Sequence, residues 1–267
     1  MRISVPASIA NLGPGFDVLA MAVDLWLEVE AEASDRPEWE FEGEGAELLA
    51  AAPNPLSSLA FRGWVQNDIP VGVGLGSSAA ARVAAAVLQN SDDPIGAAGR
   101  EEGHYDNAAA AVMGGVVVVV EGEAYALPPP DLDVALLIAP APVATEAARA
   151  ALPEAVSRED AVFNLARVAS LVRVLHTRQW ELLDLALEDR LHQPHRLPLY
   201  PWADAAIEAA REAGAYGAAI SGAGPSVFAL CERRAGAEVA AAMQAAGPEG
   251  GYGLVTKVAK SGLDYRV

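Results

Sequence analysis

Residues 70–82 read PVGVGLGSSAAAR, with glycines at alternate positions that lead into two serines and an alanine run. Glycine lets the chain adopt positive φ and lets a ligand approach the peptide N–H groups closely. Ser77 or Ser78 is a candidate N-cap, and residues 79–88 have the composition of a helix. Such a junction leaves free N–H donors and a positive dipole end beside one space, so it predicts an anion site that suits phosphate. The alternative is a flexible strand–turn–helix junction that binds nothing.

Two well-known glycine signatures do not match this stretch. The P-loop of nucleoside triphosphatases requires a lysine after its second glycine, and no lysine follows here. The dinucleotide-binding pattern requires a third glycine where Ser77 stands. The predicted anion site therefore belongs to neither class.

The composition is that of a globular chain. Its 267 residues are 52% hydrophobic and 20% charged, enough for one large or two modest domains. No apolar run approaches the roughly 20 residues of a membrane helix, and the N-terminus has no secretory pattern. Cys231 is the single cysteine and cannot form an internal disulfide, which favours a reducing compartment. We therefore expect a cytoplasmic protein.

The net charge of −18 limits the class of partner. Nucleic acids and anionic membranes are bound chiefly through neutralised phosphates, so the charge argues against both. The only two lysines are Lys257 and Lys260, near the C-terminus. If the chain binds phosphate, the neutralising charge must come from arginine, helix dipoles and a divalent cation.

Hydrophobic periodicity predicts strands and helices that interleave without strict βαβ repetition, which indicates an α+β fold. Strands are predicted at 2–9, 23–33, 38–42, 116–127, 134–140, 215–231 around a glycine turn, and 252–259. Helices are predicted in 53–67, 79–88, 100–115, 145–152, 159–175, 180–191, 198–214 and 235–247. The three prolines at 128–130 mark a boundary, which gives domains at 1–129 and 130–267.

Three stretches together resemble the motifs of the GHMP small-molecule kinases: PASIANLGPGFDVLAMAVD, PVGVGLGSSAAA and GAAISGAGPSVFAL. The first is similar to the homoserine kinase family in particular. The resemblance implies a two-domain architecture, with an N-terminal α/β domain that carries the phosphate loop and a C-terminal ferredoxin-like α+β domain. It also implies a homodimer that uses ATP and Mg²⁺ to phosphorylate the L-homoserine hydroxyl to O-phospho-L-homoserine in threonine biosynthesis.

The same resemblance implies a nucleotide site at the glycine loop, where the glycines clear space for a triphosphate. The implied contacts are Val71, Gly72, Val73, Gly74, Leu75, Gly76, Ser77, Ser78, Ala79 and Ala80, with Asn54 at the adenine. Glu102 and Ser77 are the implied metal ligands. The choices between Glu101 and Glu102 and between Ser77 and Ser78 stay open, because Tyr105 stands where the family often has proline.

The substrate site is expected around polar groups that suit an amino acid. Asp17 offers two acceptors for an ammonium group, and an arginine fork holds a carboxylate with paired bonds. The resemblance implies substrate contacts at Asn11, Asp17, Asn107, Thr145, Arg149, Arg196 and Gly222. Among these, Asn107 aligns the hydroxyl, and the expected catalytic set is Asn107, Asp17, Glu102 and Ser77.

Alternatives remain at several positions. The polar residues of the first motif could satisfy their own turn, and either arginine could be a surface residue. We predict no dedicated general base, with Asp106 as the remaining candidate. His192 and His195 have an H-x-x-H spacing, but no further histidine or cysteine cluster supports zinc.

Other functions are weighed against a homoserine kinase. One is a GHMP kinase for another small alcohol such as mevalonate, and another is a ligand-sensing module without turnover. A serine hydrolase is remote because the chain lacks G-x-S-x-G.

Overall fold

In the computed structural model, which describes residues 1–266, the chain forms two β-sheets with helices packed against them. The strands are β1 (Arg2–Ala10), β2 (Leu19–Ala33), β3 (Glu38–Gly43), β4 (Phe61–Asn67), β5 (Val116–Val120), β6 (Glu123–Leu127), β7 (Asp133–Ile138), β8 (Gly217–Ile220), β9 (Val227–Cys231), β10 (Tyr252–Lys257) and β11 (Asp264–Arg266). The helices are α1 (Ala46–Ala51), α2 (Ser77–Leu88), α3 (Pro94–Glu102), α4 (Asp106–Met113), α5 (Thr145–Ala150), α6 (Arg158–Thr177), α7 (Leu183–Ala186), α8 (Gln193–Arg196), α9 (Ala203–Glu212) and α10 (Gly236–Ala246). None of these described helices is long and apolar enough to cross a bilayer.

The first sheet has seven strands in the order β11-β1-β2-β4-β3, with β5 paired to β2 and β6 paired to β5. β2 is 15 residues long and changes partner along its length, from β5 near its start to β4 near its end. Alternate residues of β1 from Ile3 to Ile9 are buried in the same core as Val83 and Val87 of α2. The alanine-rich α2 therefore lies flat on the sheet, which fixes the position of the glycine loop before it.

The second sheet has the strand order β10-β7-β9-β8, and every pairing in it is antiparallel. All residues of β7 are buried, and Leu136 and Leu137 belong to different cores on opposite faces of the sheet. α9 and α10 pack against each other and against this sheet. Numbered in chain order, the strands lie as 4-1-3-2, the ferredoxin-like arrangement expected for the C-terminal part.

The chain crosses between the two sheets twice. Residues 128–132 lead from β6 to β7, and residues 258–263 lead from β10 back to β11. β11 then pairs with β1 through Ile3 and Tyr265, so the last described strand belongs to the first sheet. The division of the chain at residue 129 stays a prediction.

Several sequence-based predictions are wrong in detail. The helix predicted over 53–67 is replaced at its end by β4, whose buried positions alternate at Gly63, Val65 and Asn67. Its neighbours β2 and β3 supply backbone partners on both sides, and this pairing outweighs local helix propensity.

Three other segments also differ from the prediction. The helix predicted over 100–115 is broken at Gly103, which has φ +80°, so α3 and α4 are separate. The helix predicted over 180–191 shortens to a 3₁₀ turn and α7. The short strand β11 was not predicted.

The serines after the glycine loop do not cap the helix. The N-cap of α2 is Gly76 in the left-handed conformation, and no side chain accepts from the first turn. Ser77 and Ser78 are themselves the first helical residues. The first N–H groups of α2 therefore carry no side-chain cap, which leaves them available to a ligand.

The glycine loop is anchored through its carbonyl groups. Four successive carbonyls accept hydrogen bonds from distant parts of the chain: Gly72 from Val143 N (3.3 Å), Val73 from Ser226 N (3.2 Å), Gly74 from Ser221 Oγ (2.7 Å) and Leu75 from Ser8 N (3.1 Å). The loop is thereby fixed with its acceptors toward the protein.

Gly74 and Gly76 have the positive φ that the sequence predicts, and a second reason excludes side chains at both positions. Gly74 has φ +85°, and a Cβ there would lie 2.3 Å from the carbonyl oxygen of Ser221. Gly76 has φ +69°, and its Cβ would lie 2.1 Å from Ser8 Oγ. The directions in which these side chains would point are filled by protein and not by room for a triphosphate, which corrects the expectation from sequence.

We predict that Gly74→Ala destabilises the fold more than Gly214→Ala. Gly214 has a similar φ of +92° but nothing within 4 Å of its Cβ position, so its substitution costs only backbone strain, about 1–2 kcal/mol. At Gly74 the clash with Ser221 adds about 1–3 kcal/mol. Urea unfolding of both variants measures the difference, and equal losses would show that the loop can move away from Ser221 without cost.

Candidate active site

The three motifs meet in one cleft. The first motif contributes the turn after β1, the second the start of α2, and the third the turn between β8 and β9. The cleft is lined by these residues of the sequence-based prediction: Asn11, Asp17, Gly72, Gly74, Gly76, Ser77, Ser78, Ala79, Glu101, Glu102, Asp106, Asn107, Thr145, Arg149, Arg196 and Gly222. Segments far apart in sequence thus present their polar groups to one space.

Five predicted nucleotide contacts lie outside the cleft lining. Val73, Leu75 and Ala80 are buried in the core, and Val71 packs beside Gly45. The side chain of Asn54 is engaged in its own turn, where Oδ1 accepts from two backbone amides and Nδ2 donates to Leu49. The structure does not bring Asn54 to the other predicted residues.

The phosphate end of the cleft is formed by the uncapped start of α2. Ser77 is half-buried and Ser78 is exposed, and both line the cleft with Gly74 and Gly76. A helix N-terminus offers N–H donors and a partial positive charge of about half a unit. This end of the cleft therefore suits an anion even though the chain as a whole is strongly acidic.

The acidic segment faces this end from α3. The side chain of Glu102 is only 9% exposed, whereas that of Glu101 is 62% exposed, and both contact Arg82. Within residues 1–266, no group of three histidines, cysteines or carboxylates could enclose a metal ion. Mg²⁺ needs only one or two carboxylates when phosphate oxygens and water complete its shell, so Glu102 with a serine hydroxyl fits such an ion.

Asn107 is held from two sides at the start of α4. Its Oδ1 accepts from Ser8 Oγ at 2.8 Å, which leaves its amide nitrogen as the group for a ligand. Its backbone N–H donates to Oδ1 of Asp106, a residue that is 1% exposed. The same Asp106 oxygen lies 2.8 Å from His104 Nδ1, and this hydrogen bond raises the pKa of His104.

The first motif is tied to the third by Asn11. This residue has φ 70°, and its Nδ2 donates to the carbonyl of Gly222 while its Oδ1 accepts from Asp17 N. Both polar ends of the Asn11 side chain are thus occupied by protein. Asn11 consequently fixes the turn that presents Asp17 to the cleft.

Asp17 and Arg149 form a bidentate ion pair across the cleft. The two guanidinium nitrogens lie 2.9 and 3.0 Å from the two carboxylate oxygens, and the bond raises the pKa of Arg149. Both side chains are partly exposed, at 32% and 43%. The predicted ammonium-binding and carboxylate-binding residues therefore pair with each other here.

Arg196 is a buried cation at the same end of the cleft. It is 2% exposed and donates to the carbonyls of Gly222 and Ala148. Among residues 1–266, no carboxylate lies within ion-pair distance of it. Burial lowers its pKa, and a buried charge without a counter-ion is costly, so this position favours an anionic ligand.

Two contributors were missed by sequence reasoning. The ring of Phe16 lies under both arginines, 5.5 Å from the guanidinium of Arg149 and 5.4 Å from that of Arg196. Arg82 joins the phosphate end from the second turn of the alanine-rich α2, where the sequence alone gives it the pattern of a solvent-facing residue. Only the folded chain shows that α3 crosses beside it.

Comparison with known proteins gives the family. The model of the GHMP kinases N terminal domain matches residues 45–115, and that of the GHMP kinases C terminal region matches residues 166–249. Homoserine kinase from Thermus thermophilus is 42% identical, with 93% of each chain covered. Homoserine kinase from Moorella thermoacetica is 39% identical over 87% of this chain and 88% of its own. The chain belongs to the homoserine kinase family of GHMP kinases.

Solved structures agree with this membership. The structure of homoserine kinase from Cytophaga hutchinsonii has a TM-score of 0.85 and 28% identity, and it covers 99% of this chain and 96% of its own. Mevalonate kinase from L. major has a TM-score of 0.72 at 13% identity and shares the fold. The expected α+β GHMP kinase architecture is confirmed.

The buried His192 has a neutral ring that supports Arg196. Its Nε2 is 2.6 Å from the carbonyl oxygen of Gly13, and its Nδ1 is 3.1 Å from Nη1 of Arg196. Donation to the carbonyl and acceptance from the guanidinium require one proton on the ring. Burial lowers the pKa of His192, although the charge of Asp189 opposes this effect.

We predict that His192 makes the fold less stable in acid. Below the unfolded-state pKa, about 6.5, His192 binds a proton in the unfolded chain but not in the folded protein. The contribution of His192 to the free energy of unfolding therefore decreases by up to about 1.4 kcal/mol for each unit by which the pH is lowered. The stability difference between the unchanged protein and His192→Gln should shrink from pH 7 to pH 5. His176→Gln, on an exposed histidine, is the control, and chemical denaturation at each pH measures both. A constant difference for His192→Gln would contradict the prediction.

Proposed function

We propose that this chain transfers the γ-phosphoryl group of ATP to the side-chain hydroxyl of L-homoserine, which yields O-phospho-L-homoserine for threonine biosynthesis. The observation that carries the proposal is the buried Arg196, which lines the cleft. Its charge has no carboxylate partner among residues 1–266. An amino-acid carboxylate supplies the missing counter-ion. The substrate named for the Thermus and Moorella relatives has that group.

The Asp17–Arg149 pair supports a zwitterionic substrate. An amino acid carries one ammonium and one carboxylate group, so it can replace the internal pair with two ion pairs of its own. Its ammonium would bind Asp17, and its carboxylate would bind Arg149 and Arg196 by charge-assisted bonds. Thr145, one turn before Arg149 on α5, would add a hydroxyl contact.

The transfer itself needs position more than covalent chemistry. Phosphoryl transfer passes through a loose transition state, so catalysis is mainly alignment and charge stabilisation. The amide of Asn107 is fixed by Ser8 and would orient the substrate hydroxyl toward the phosphates at α2. Asp17 would be occupied by the ammonium, and Asp106 already accepts two hydrogen bonds, so we assign no general base.

Glu102 and Ser77 would hold Mg²⁺, with Ser78 as the alternative serine. The low exposure of the Glu102 side chain supports it over Glu101 as the ligand. When bound, Mg²⁺ neutralises charge on the phosphates. Glu102 can then lie beside the phosphates of ATP, because the metal ion offsets the repulsion between them.

Two further parts of the proposal come from the family resemblance. We propose a homodimer and a cytoplasmic location. Size-exclusion chromatography with light scattering tests the first, and fractionation of the source cells tests the second.

We predict selective turnover of amino alcohols. A coupled ADP-release assay with ATP and Mg²⁺ should show activity with L-homoserine and far less with mevalonate or galactose, which lack the α-ammonium that Asp17 would bind. Serine and threonine test the length and branching of the side chain. Turnover of galactose without turnover of homoserine would overturn the proposed function.

We predict that Arg149→Ala raises the KM for homoserine by about 30-fold or more, because loss of one charged partner costs about 2–5 kcal/mol. The KM for ATP should change little. The control is Arg173→Ala, on the exposed side of α6 and outside the cleft. An unchanged KM for homoserine in Arg149→Ala would remove Arg149 from the substrate site.

A further inference from the structure

Arg82 is a cation of the cleft that the proposed function leaves without a role. It lies four residues after Ser78 on α2, so its side chain reaches back over the first turn of the helix. Its Nε is 3.3 Å from Ser78 Oγ. The guanidinium is therefore beside the uncapped N–H groups that form the phosphate end.

The charges of the cleft are divided between its two ends. Among the cleft-lining arginines of residues 1–266, Arg149 and Arg196 are engaged at the substrate end, and Arg82 lies at the phosphate end. Lys257 and Lys260 line a separate pocket with Arg233. Of the arginine and lysine side chains in the described part of the chain, a triphosphate at α2 would thus find Arg82 in addition to the helix dipole.

Arg82 is held between two carboxylates of different exposure. It contacts Glu101 through Nη1, and its Nε is 3.4 Å from Oε1 of Glu102. The side chain of Arg82 is 27% exposed, Glu101 is mostly exposed, and Glu102 is nearly buried. The guanidinium therefore screens the one carboxylate of α3 that the proposed function assigns to Mg²⁺.

We propose that Arg82 is a nucleotide-binding residue that exchanges Glu102 for a phosphate oxygen of the nucleotide. The proposal rests on the proposed function, because it assumes a nucleotide phosphate at the start of α2. Arg82 satisfies the buried Glu102 carboxylate while the cleft is empty and gives it up when phosphate and metal arrive. Glu101 remains its partner on the solvent side and limits how far the guanidinium moves.

The exchange follows from charge. A guanidinium pairs with phosphate at least as well as with a carboxylate, because its planar fork matches two oxygens. In a nucleotide complex without metal, Glu102 repels the added phosphate charges and also competes with them for Arg82. Arg82 and Glu102 should therefore have opposite effects on metal-free nucleotide binding.

The first test measures ADP binding in EDTA by isothermal titration calorimetry. Arg82→Gln should weaken ADP by about tenfold or more, as expected for loss of a charge-assisted bond. The ADP affinity of Arg82→Lys, which keeps the charge without the planar guanidinium, should lie between those of the unsubstituted protein and Arg82→Gln. The matched control is Arg100→Gln, which removes an exposed arginine paired with Asp93 at 3.7 Å outside the cleft. ADP affinity of Arg82→Gln equal to that of Arg100→Gln would overturn the proposal.

The second test is a double-mutant cycle with Glu102→Gln. Glu102→Gln alone should raise the affinity for ADP in the absence of metal, because it removes a negative charge and releases Arg82. When the protein also carries Arg82→Gln, the gain in ADP affinity from Glu102→Gln should be smaller by a factor of about three or more. Equal tightening in both backgrounds would show that Glu102 acts only by repulsion, which would overturn the exchange.

A structural role of Arg82 is separated by thermal unfolding. If Arg82 only ties α2 to α3, its variants lower the midpoint of unfolding and leave the ADP affinity of the folded protein unchanged, which contradicts the proposal. Failure of the proposed function has a different signature. In that case the protein without substitutions binds ADP but does not phosphorylate homoserine. The ADP affinities of the variants still decide the role of Arg82.

Discussion

The anchoring of the glycine loop through four successive carbonyls is the constraint on which the site depends. Each acceptor from Gly72 to Leu75 is bound by a group from another part of the chain, so the loop cannot turn these oxygens toward the cleft. The free N–H groups at the start of α2 are then directed at the space where an anion can bind. Two of the four donors, Ser221 and Ser226, come from the third motif, which explains why the motifs work as one unit.

The distribution of charge resolves an apparent conflict in this protein. A chain with a net charge of −18 repels a triphosphate at long range, yet its cleft holds three arginines and a helix N-terminus. Arg196 lacks a carboxylate partner among the described residues, and Arg82 and Arg149 are paired with carboxylates that face the cleft. Ligands that carry both signs of charge can replace these internal pairs without leaving any group unpaired, whereas a simple anion cannot.

Local sequence patterns were sufficient to predict those helices and strands whose own residues have a clear helical or apolar pattern. The alanine run after Ser78 and the wholly buried β7 are where they were predicted, and the three motifs converge as the family resemblance implied. Long-range pairing decided the remainder. β4 forms because β2 and β3 flank it, and its buried positions Gly63, Val65 and Asn67 include only one apolar side chain, so no two-residue hydrophobic period marks this strand in the sequence. Arg82 could not be found from sequence, because its role depends on a helix crossing.

The third motif connects the two ends of the proposed reaction. Ser221 donates to the carbonyl of Gly74 in the phosphate loop, and the next residue, Gly222, accepts from both Asn11 and Arg196. A Cβ on Gly222 would lie 3.1 Å from the Gly74 carbonyl oxygen, so the two segments are in close backbone contact. The separation between the phosphate end and the carboxylate end is consequently set by this backbone contact together with the hydrogen bonds of Ser221, Asn11 and Arg196. Phosphoryl transfer gains most from fixed alignment, and a separation held by close backbone contact and by several hydrogen bonds is what the proposed chemistry requires.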